Sequence, residues 1–330
     1  MLMQSESFVK RLETALGKVL DVGTNELKTE YPIMLPRATF EEKVGPLVYK
    51  KYAETSVTST PKQWHDGISE DKRKFLAPGP NFLRDGNNGA AWASAARRAV
   101  EKEFVRVYMA GTLGTHGFDN ASFFAAVDAV TKLINPKGGT RKYGNHKALT
   151  LKKSNPIEFI EALETHFEAI PSLGDDGYLD LQLGAILSGS AAYKILRDVA
   201  EQDELKITII NGGATERKEI KNRWAGAFEN LKSLDMAADK MLLFAKGADA
   251  GVPHILHSLI GTDELKGGEF MAPKQWQALT GTWMQPLITM LGLDSEHCEK
   301  YDEILVKACL DFAITLMCPW SVLLVDLTIA

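Results

Sequence analysis

Cysteine is scarce in this sequence, and long uncharged apolar runs are missing from it. Only three of 330 residues are cysteine, Cys298, Cys309 and Cys318, all near the C-terminal end. An odd number cannot pair completely within one chain, and no Cys-x-x-Cys spacing occurs. A disulfide framework is therefore excluded, and the thiols read as reduced in a reducing compartment. No 18-residue stretch is free of charge. Ala308–Ala330 comes nearest, but Asp311, Pro319 and Asp326 interrupt it. It reads as a buried helix with an apolar tail, and no membrane partner is expected. The first 23 residues mix acids with bases and lack the apolar core of a secretory signal. An excess of positive charge is also missing: Lys and Arg number 38 against 43 Asp and Glu, a formal net charge of −5. A protein that coats nucleic acid with its whole surface would be basic, so any phosphate-binding cations here have to be gathered in a groove.

Catalytic signatures are equally sparse. His254-x-x-His257 sets two imidazoles on one face of an expected helix, but no His-Glu-x-x-His or nearby cysteine pair completes a zinc site. Gly111, Gly114 and Gly117 lie between two helical patterns, not in the strand–loop–helix setting of a dinucleotide site. Ser188 lacks the Gly-x-Ser-x-Gly elbow. Asp175-Asp176 reads as a turn. The expectation is a protein that is not an enzyme and has no metal and no cofactor.

What is present is helical periodicity. Phe8, Val9, Leu12, Leu16, Val19 and Leu20 share one face of a helix over 6–21, stopped by Gly23. Six prolines break up 24–88. Helices are expected over 89–110, from about 119 to 134, from Pro156 to about 170, and over 178–202. Leu205–Ile210 is the one strand-like run. Thr215 then caps a long helical pattern to about Lys246, with shorter helices near 252–260, 273–291 and 302–317. The expected fold is mainly α: a two-lobe helical protein with little strand and with terminal arms. Its divisions are an N-terminal helical arm (1–24), an N-terminal lobe (25–145), a C-terminal helical lobe (146–318) and an apolar tail (319–330).

Three basic clusters stand out. Lys137, Arg141, Lys142, His146, Lys147, Lys152 and Lys153 fall in a run with no acid, with Tyr143 and three glycines among them. Phosphates want cations on a close-approaching loop, and bases want an aromatic to stack on. The plain alternative is a solvated inter-lobe loop. Arg98, Lys102 and Arg106 recur every four residues, on one helix face, which also fits a solvated face with ion pairs. Arg217, Lys218, Lys221 and Arg223 follow a strand and a Gly-Gly pair, an arrangement that suits an anion at a helix N-terminus or a capped turn equally well. Glu158, Glu161, Glu164 and Glu168 form an acidic row. The last ten residues are apolar and must be packed, either on the chain's own core or on a neighbouring subunit.

In overall character this is similar to the nucleoproteins of negative-strand RNA viruses as a class, a similarity that rests on no residue motif. It implies a self-assembling, single-stranded RNA-binding protein that encapsidates viral genomic RNA in a basic groove between two helical lobes. The homo-oligomer would form through the terminal arms, located in the virion and the host cytoplasm. RNA would be held by the clustered residues named above, with Tyr143 stacking on a base. Alternatives are a helical capsid protein of a filamentous virus, a helical enzyme acting on a phosphorylated small molecule, and a helical scaffold for protein partners.

Overall fold

The computed structural model describes residues 7–24, 26–34, 54–77, 86–113, 122–125, 144–171, 178–211, 214–259, 287–290 and 295–330. Among them are fourteen strands and six helices. The mainly α expectation is thereby corrected: this is a mixed α/β protein in which strands outnumber helices.

Its centre is a five-stranded sheet in the order β5 (His146–Leu151), β14 (Val322–Ile329), β10 (Lys240–Lys246), β6 (Gln182–Ser188), β9 (Glu229–Lys232). In β10, Met241 to Ala245 are all buried, because the strand lies between β14 and β6 with both faces covered. A strand covered on both faces reads as a continuous apolar run, which periodicity alone does not distinguish from a buried helix. Its faces still alternate. Met241, Leu243 and Ala245 pack with α4 (Ile157–Glu168) and α5 (Ser190–Glu201). Leu242 and Phe244 pack with α1 (Phe8–Leu16) and the long helix α3 (Gly86–Ala110).

Neither the described part of the expected N-terminal arm nor the C-terminal segment is a free arm. In α1, Ser7 caps the N-terminus and Gly17 closes the C-terminus in the left-handed region at φ 62°. Phe8, Val9, Leu12 and Leu16 are buried against the central sheet. The C-terminal segment is β14, paired antiparallel with β10 and parallel with β5, and Val322 to Val325 are buried. The apolar end of the chain thus sits on its own core.

A second sheet runs β1 (Asp21–Thr24), β11 (His254–Leu259), β13 (Glu303–Leu316), β12 (Leu287–Met290), with β4 (Lys62–Asp71) also on β13. Phe312 pairs with both Lys62 and Ser258, so β4 and β11 occupy opposite edges of β13. The short helices α2 (Lys72–Leu76) and α6 (Glu296–Tyr301) flank this sheet, and among the described residues β2 (Thr29–Met34) pairs only with β3 (Glu54–Ser59).

Several expected helices are strands for one reason: the local apolar spacing suited both, and long-range pairing decided. The long helix expected over 215–246 is β8 (Ala214–Lys221), β9 and β10; those near 252–260 and 302–317 are β11 and β13. The segment 178–202 divides into β6 and α5. The helix expected from about 119 to 134 lies outside the described residues except 122–125, which carry no regular element. Of 273–291 only 287–290 are described, as β12. The strand-like run at Leu205 is β7 (Glu204–Asn211), and the helices at 89–110 and after Pro156 are α3 and α4.

Candidate assembly interface

β7 and β8 form a hairpin of eight residue pairs, from Glu204↔Lys221 to Asn211↔Ala214. At about 3.4 Å per residue it is roughly 25 Å long. Among the described residues neither strand pairs with any other. The hairpin is an insertion. β6 and β9 are parallel and α5 is the crossover between them, but the chain leaves through β7 and β8 before it enters β9.

The root of this hairpin is built with care for its polar groups. Asn222 is buried, and its Nδ2 donates to Val199 O and Gln202 O, both at 2.6 Å. Its Oδ1 accepts from Trp224 N at 3.0 Å, and its backbone N–H donates to Asp203 O at 2.7 Å. One side chain therefore ties the end of α5 to both strands' exit points. Trp224 Nε1 donates to Glu164 Oε1 at 2.7 Å. The Arg223 guanidinium lies 4.2 Å from the Trp224 ring centroid and 3.4 Å from Glu164. An open cleft of about 560 Å³ runs beside this root between Glu164, Glu168, Arg223, Trp224 and Lys246. Its two carboxylates and two cations balance one another. Further out, Lys206 and Glu219 pair at 3.0 Å, an exposed contact of little energetic weight.

Two further pieces lie beside or at the edge of the second sheet. The β2–β3 hairpin docks by Ser59 and Thr315, whose hydroxyls are 2.8 Å apart, and by Tyr31 set edge-on to His257 at 5.9 Å. β4 pairs with β13 over ten positions, yet seven of its ten residues are exposed and the other three only half-buried. Its anchor is Trp64, stacked on Phe312 at 5.2 Å.

Buried polar chemistry exists but is structural. Tyr108 on α3 and His254 on β11 are fully buried, with Tyr108 Oη 2.8 Å from His254 Nδ1. Burial pushes His254 down to about 3 and drives Tyr108 up, so both stay neutral. Burial lifts the Cys318 thiol to about 12, which leaves no thiolate to react. The paired histidines expected on one helix face are on a strand, where an odd spacing turns them to opposite faces. His254 packs with Tyr108 and Phe104, His257 with Tyr31. Among the described residues no three His, Cys, Asp or Glu side chains converge as metal ligands. Ser188 ends β6 in the buried interior.

The three basic clusters fall on different elements. Lys137, Arg141, Lys142 and Tyr143 lie outside the described residues. His146 and Lys147 are on β5, where His146 meets Asp326 at 3.1 Å; Lys152 and Lys153 follow the strand, and Lys152 pairs with Glu158 at 2.8 Å. Arg98, Lys102 and Arg106 are on α3, and Arg106 pairs with Glu103. Arg217, Lys218 and Lys221 are on β8 and Arg223 lies beyond it, so the expected helix N-terminus is one strand of a hairpin and offers no helix-end anion site. The acidic row reaches further than its spacing suggests, because Glu161 and Glu164 hold Arg223. Sequence reasoning misses Asn222, whose only signal is its position between patterned segments, and the buried Asn145, whose Nδ2 donates to Phe123 O at 2.8 Å and Pro319 O at 3.0 Å.

No family model and no curated protein matches this sequence. In fold it is similar to the shell protein of the SrpI encapsulin complex of Synechococcus elongatus PCC 7942: 10% identity, TM-score 0.49, over 99% of this chain and 89% of that one. The mature capsid protein of bacteriophage PhiM1 gives 10% identity and TM-score 0.48, over 93% and 84% of the two chains. That of cyanophage P-SCSP1u gives 10% identity and TM-score 0.47, over 94% and 86%. These three structures are of capsids and an encapsulin complex. The RNA-binding nucleoprotein expectation, with its filamentous-capsid and helical-enzyme alternatives, is corrected by the architecture, since all of them were built on a helical body. The helical two-lobe body that defined the groove is not what the chain forms.

Proposed function

We propose that this protein is a shell subunit: copies of it associate, through extended strands and hairpins that leave the folded body, into a closed homo-oligomeric container of the virion type. The observation that carries the reading is the β7–β8 hairpin, eight pairs long and paired with nothing else among the described residues. A two-stranded hairpin is marginal alone in water. Its root is fixed to the body by Asn222, so it is a held projection. Held projections of this length need a second surface to lie on, and neither Phe8–Leu16 nor Val322–Ile329 is that surface, being buried against the chain's own core. The hairpins and the β4 edge supply the contacts that were expected of terminal arms. Copies would meet inside the host cell and remain together in the particle.

The test is light scattering and electron microscopy of the purified full chain across a range of protein concentration and ionic strength. Hollow particles of many copies, appearing above a threshold concentration, are the expected result. A monomer under every condition would overturn the reading.

A further inference from the structure

We propose that the outer edge of β4 is a two-fold contact at which it pairs antiparallel with β4 of a second copy of this chain. This names one contact within the shell-subunit reading and rests on it. β13 occupies one edge of β4, and among the described residues no strand pairs with the other. Gly67 N–H donates to the side chain of its own neighbour, Asp66 Oδ1, at 2.9 Å, and Val306 O, next to its ladder partner Lys307, lies 3.6 Å from where a Gly67 Cβ would be, the placement of a carbonyl that turns toward β4 beside a non-hydrogen-bonded pair. The odd-numbered residues therefore turn their backbone groups to the outer edge. A ten-residue edge of this kind is a template for another strand.

Charge along the strand selects the partner. β4 begins with Lys62 and ends with Glu70 and Asp71, so it complements its own reversed copy. A two-fold axis perpendicular to the sheet keeps every side chain on its own face, so opposed residues must both be even-numbered or both odd-numbered. In the register that sets Lys62 opposite Glu70, Trp64 falls opposite Ile68 and His65 opposite Gly67. Asp66 then lies on the axis, opposite its own copy. Opposite-charge and aromatic–aliphatic cross-strand pairs are favourable, and a like pair is not. Moving the axis to Gly67 would set Trp64 against Glu70 and leave Lys62 unopposed. The single Asp66–Asp66 pair makes the contact weak between two isolated subunits and useful only where other contacts already hold them.

The register is tested by crosslinking the full chain. Directly opposed antiparallel residues have Cα atoms about 4.5–5.5 Å apart, within disulfide reach; Cys309, which lies opposite His65 in the β13 ladder, is replaced by Ser in every variant so that it cannot capture the new thiol. After mild oxidation, Asp66→Cys is expected to run mostly as a dimer on a non-reducing gel, while His65→Cys alone stays monomeric. A mixture of His65→Cys and Gly67→Cys chains should crosslink where neither does alone, which covers the case in which the Asp66 variant is impaired. Particles that form while Asp66→Cys and the mixture both remain uncrosslinked would overturn this contact and leave the shell reading standing. Crosslinked dimers without particles would support the contact and overturn the shell reading.

Discussion

At the scale of single residues, the core is held at a few points by polar side chains that have lost water and gained one partner each. Tyr108 and His254 are such a pair, enclosed by Phe104, Phe123, Phe124 and Phe244. Tyr108→Phe keeps the ring packing but leaves a buried imidazole nitrogen without its partner. A loss of about 1–3 kcal/mol in urea unfolding is expected, and an unchanged midpoint would show that the bond contributes nothing. Acid acts on the same residues. Burial holds His254 at about 3, and burial together with Lys147 nearby holds His166 at about 3. Both lie below the ordinary histidine value, so between about pH 6.5 and 3 the unfolded chain binds more protons than the folded one. Their contribution to stability is complete above pH 6.5 and is lost as pH falls toward 3. The unfolding midpoint should drop across that window, and His166→Gln should make the slope shallower. A slope identical to that of the original chain would sink the assignment. None of this is visible in the motif His254-x-x-His257, because its meaning depends on the element beneath it.

At the scale of elements, helices with one apolar face are legible in the amino-acid pattern alone: α1, α3 and α4 are each recognisable from spacing, and α4 also from the Asn155-Pro156 start, although its N-cap is Pro156 and makes no side-chain cap hydrogen bond. β13 is also written in the sequence, under a helical disguise. Ile304, Val306, Leu310, Phe312, Ile314 and Leu316 are all buried and all even-numbered, a period of two that a period of 3.6 can imitate over short stretches. β10 carries no such clue, since five consecutive buried residues have no visible face. Its neighbours cannot be read either, because β14 joins it from 86 residues away, as Lys240 opposite Asp326 shows. The hairpin is half legible: β7 is evident from its branched residues, while the charged β8 passes for a helix start. The C-terminal segment offers a direct check. Deleting residues 321–330 removes a strand lying between β5 and β10, so the product should be insoluble or unfolded by circular dichroism. A folded product with altered assembly would instead return the segment to the role of an exchanged arm. For the hairpin root, Asn222→Ala removes three side-chain hydrogen bonds. Amide exchange over 204–221 should speed up while exchange in β10 stays slow. Equal acceleration in both would mean that Asn222 supports the whole core and not the hairpin in particular.

At the scale of the whole molecule, the two sheets share their interior: Leu242 and Phe244 of one and Phe312 and Ile314 of the other belong to the same apolar cluster with α1 and α3. What leaves this body is therefore an addition to a core that is already closed. Stable interfaces between proteins bury about 800 Å² per partner, an area within reach of a hairpin roughly 25 Å long together with the edge of a ten-residue strand. Removal of the hairpin should then separate folding from assembly. Replacing residues 206–219 with Asn-Gly joins Leu205 to Ile220, which already face each other in the ladder, and leaves the Asn222 anchor untouched. Asn-Gly suits a tight two-residue turn. The shortened chain should unfold within about 1 kcal/mol of the original, since the excised strands pair only with each other among the described residues and a lone hairpin adds little stability. By light scattering it should remain monomeric at concentrations where the full chain forms particles. Particles of unchanged size from the shortened chain would show that the hairpin is decoration, and would leave the strand edges to account for the shell alone.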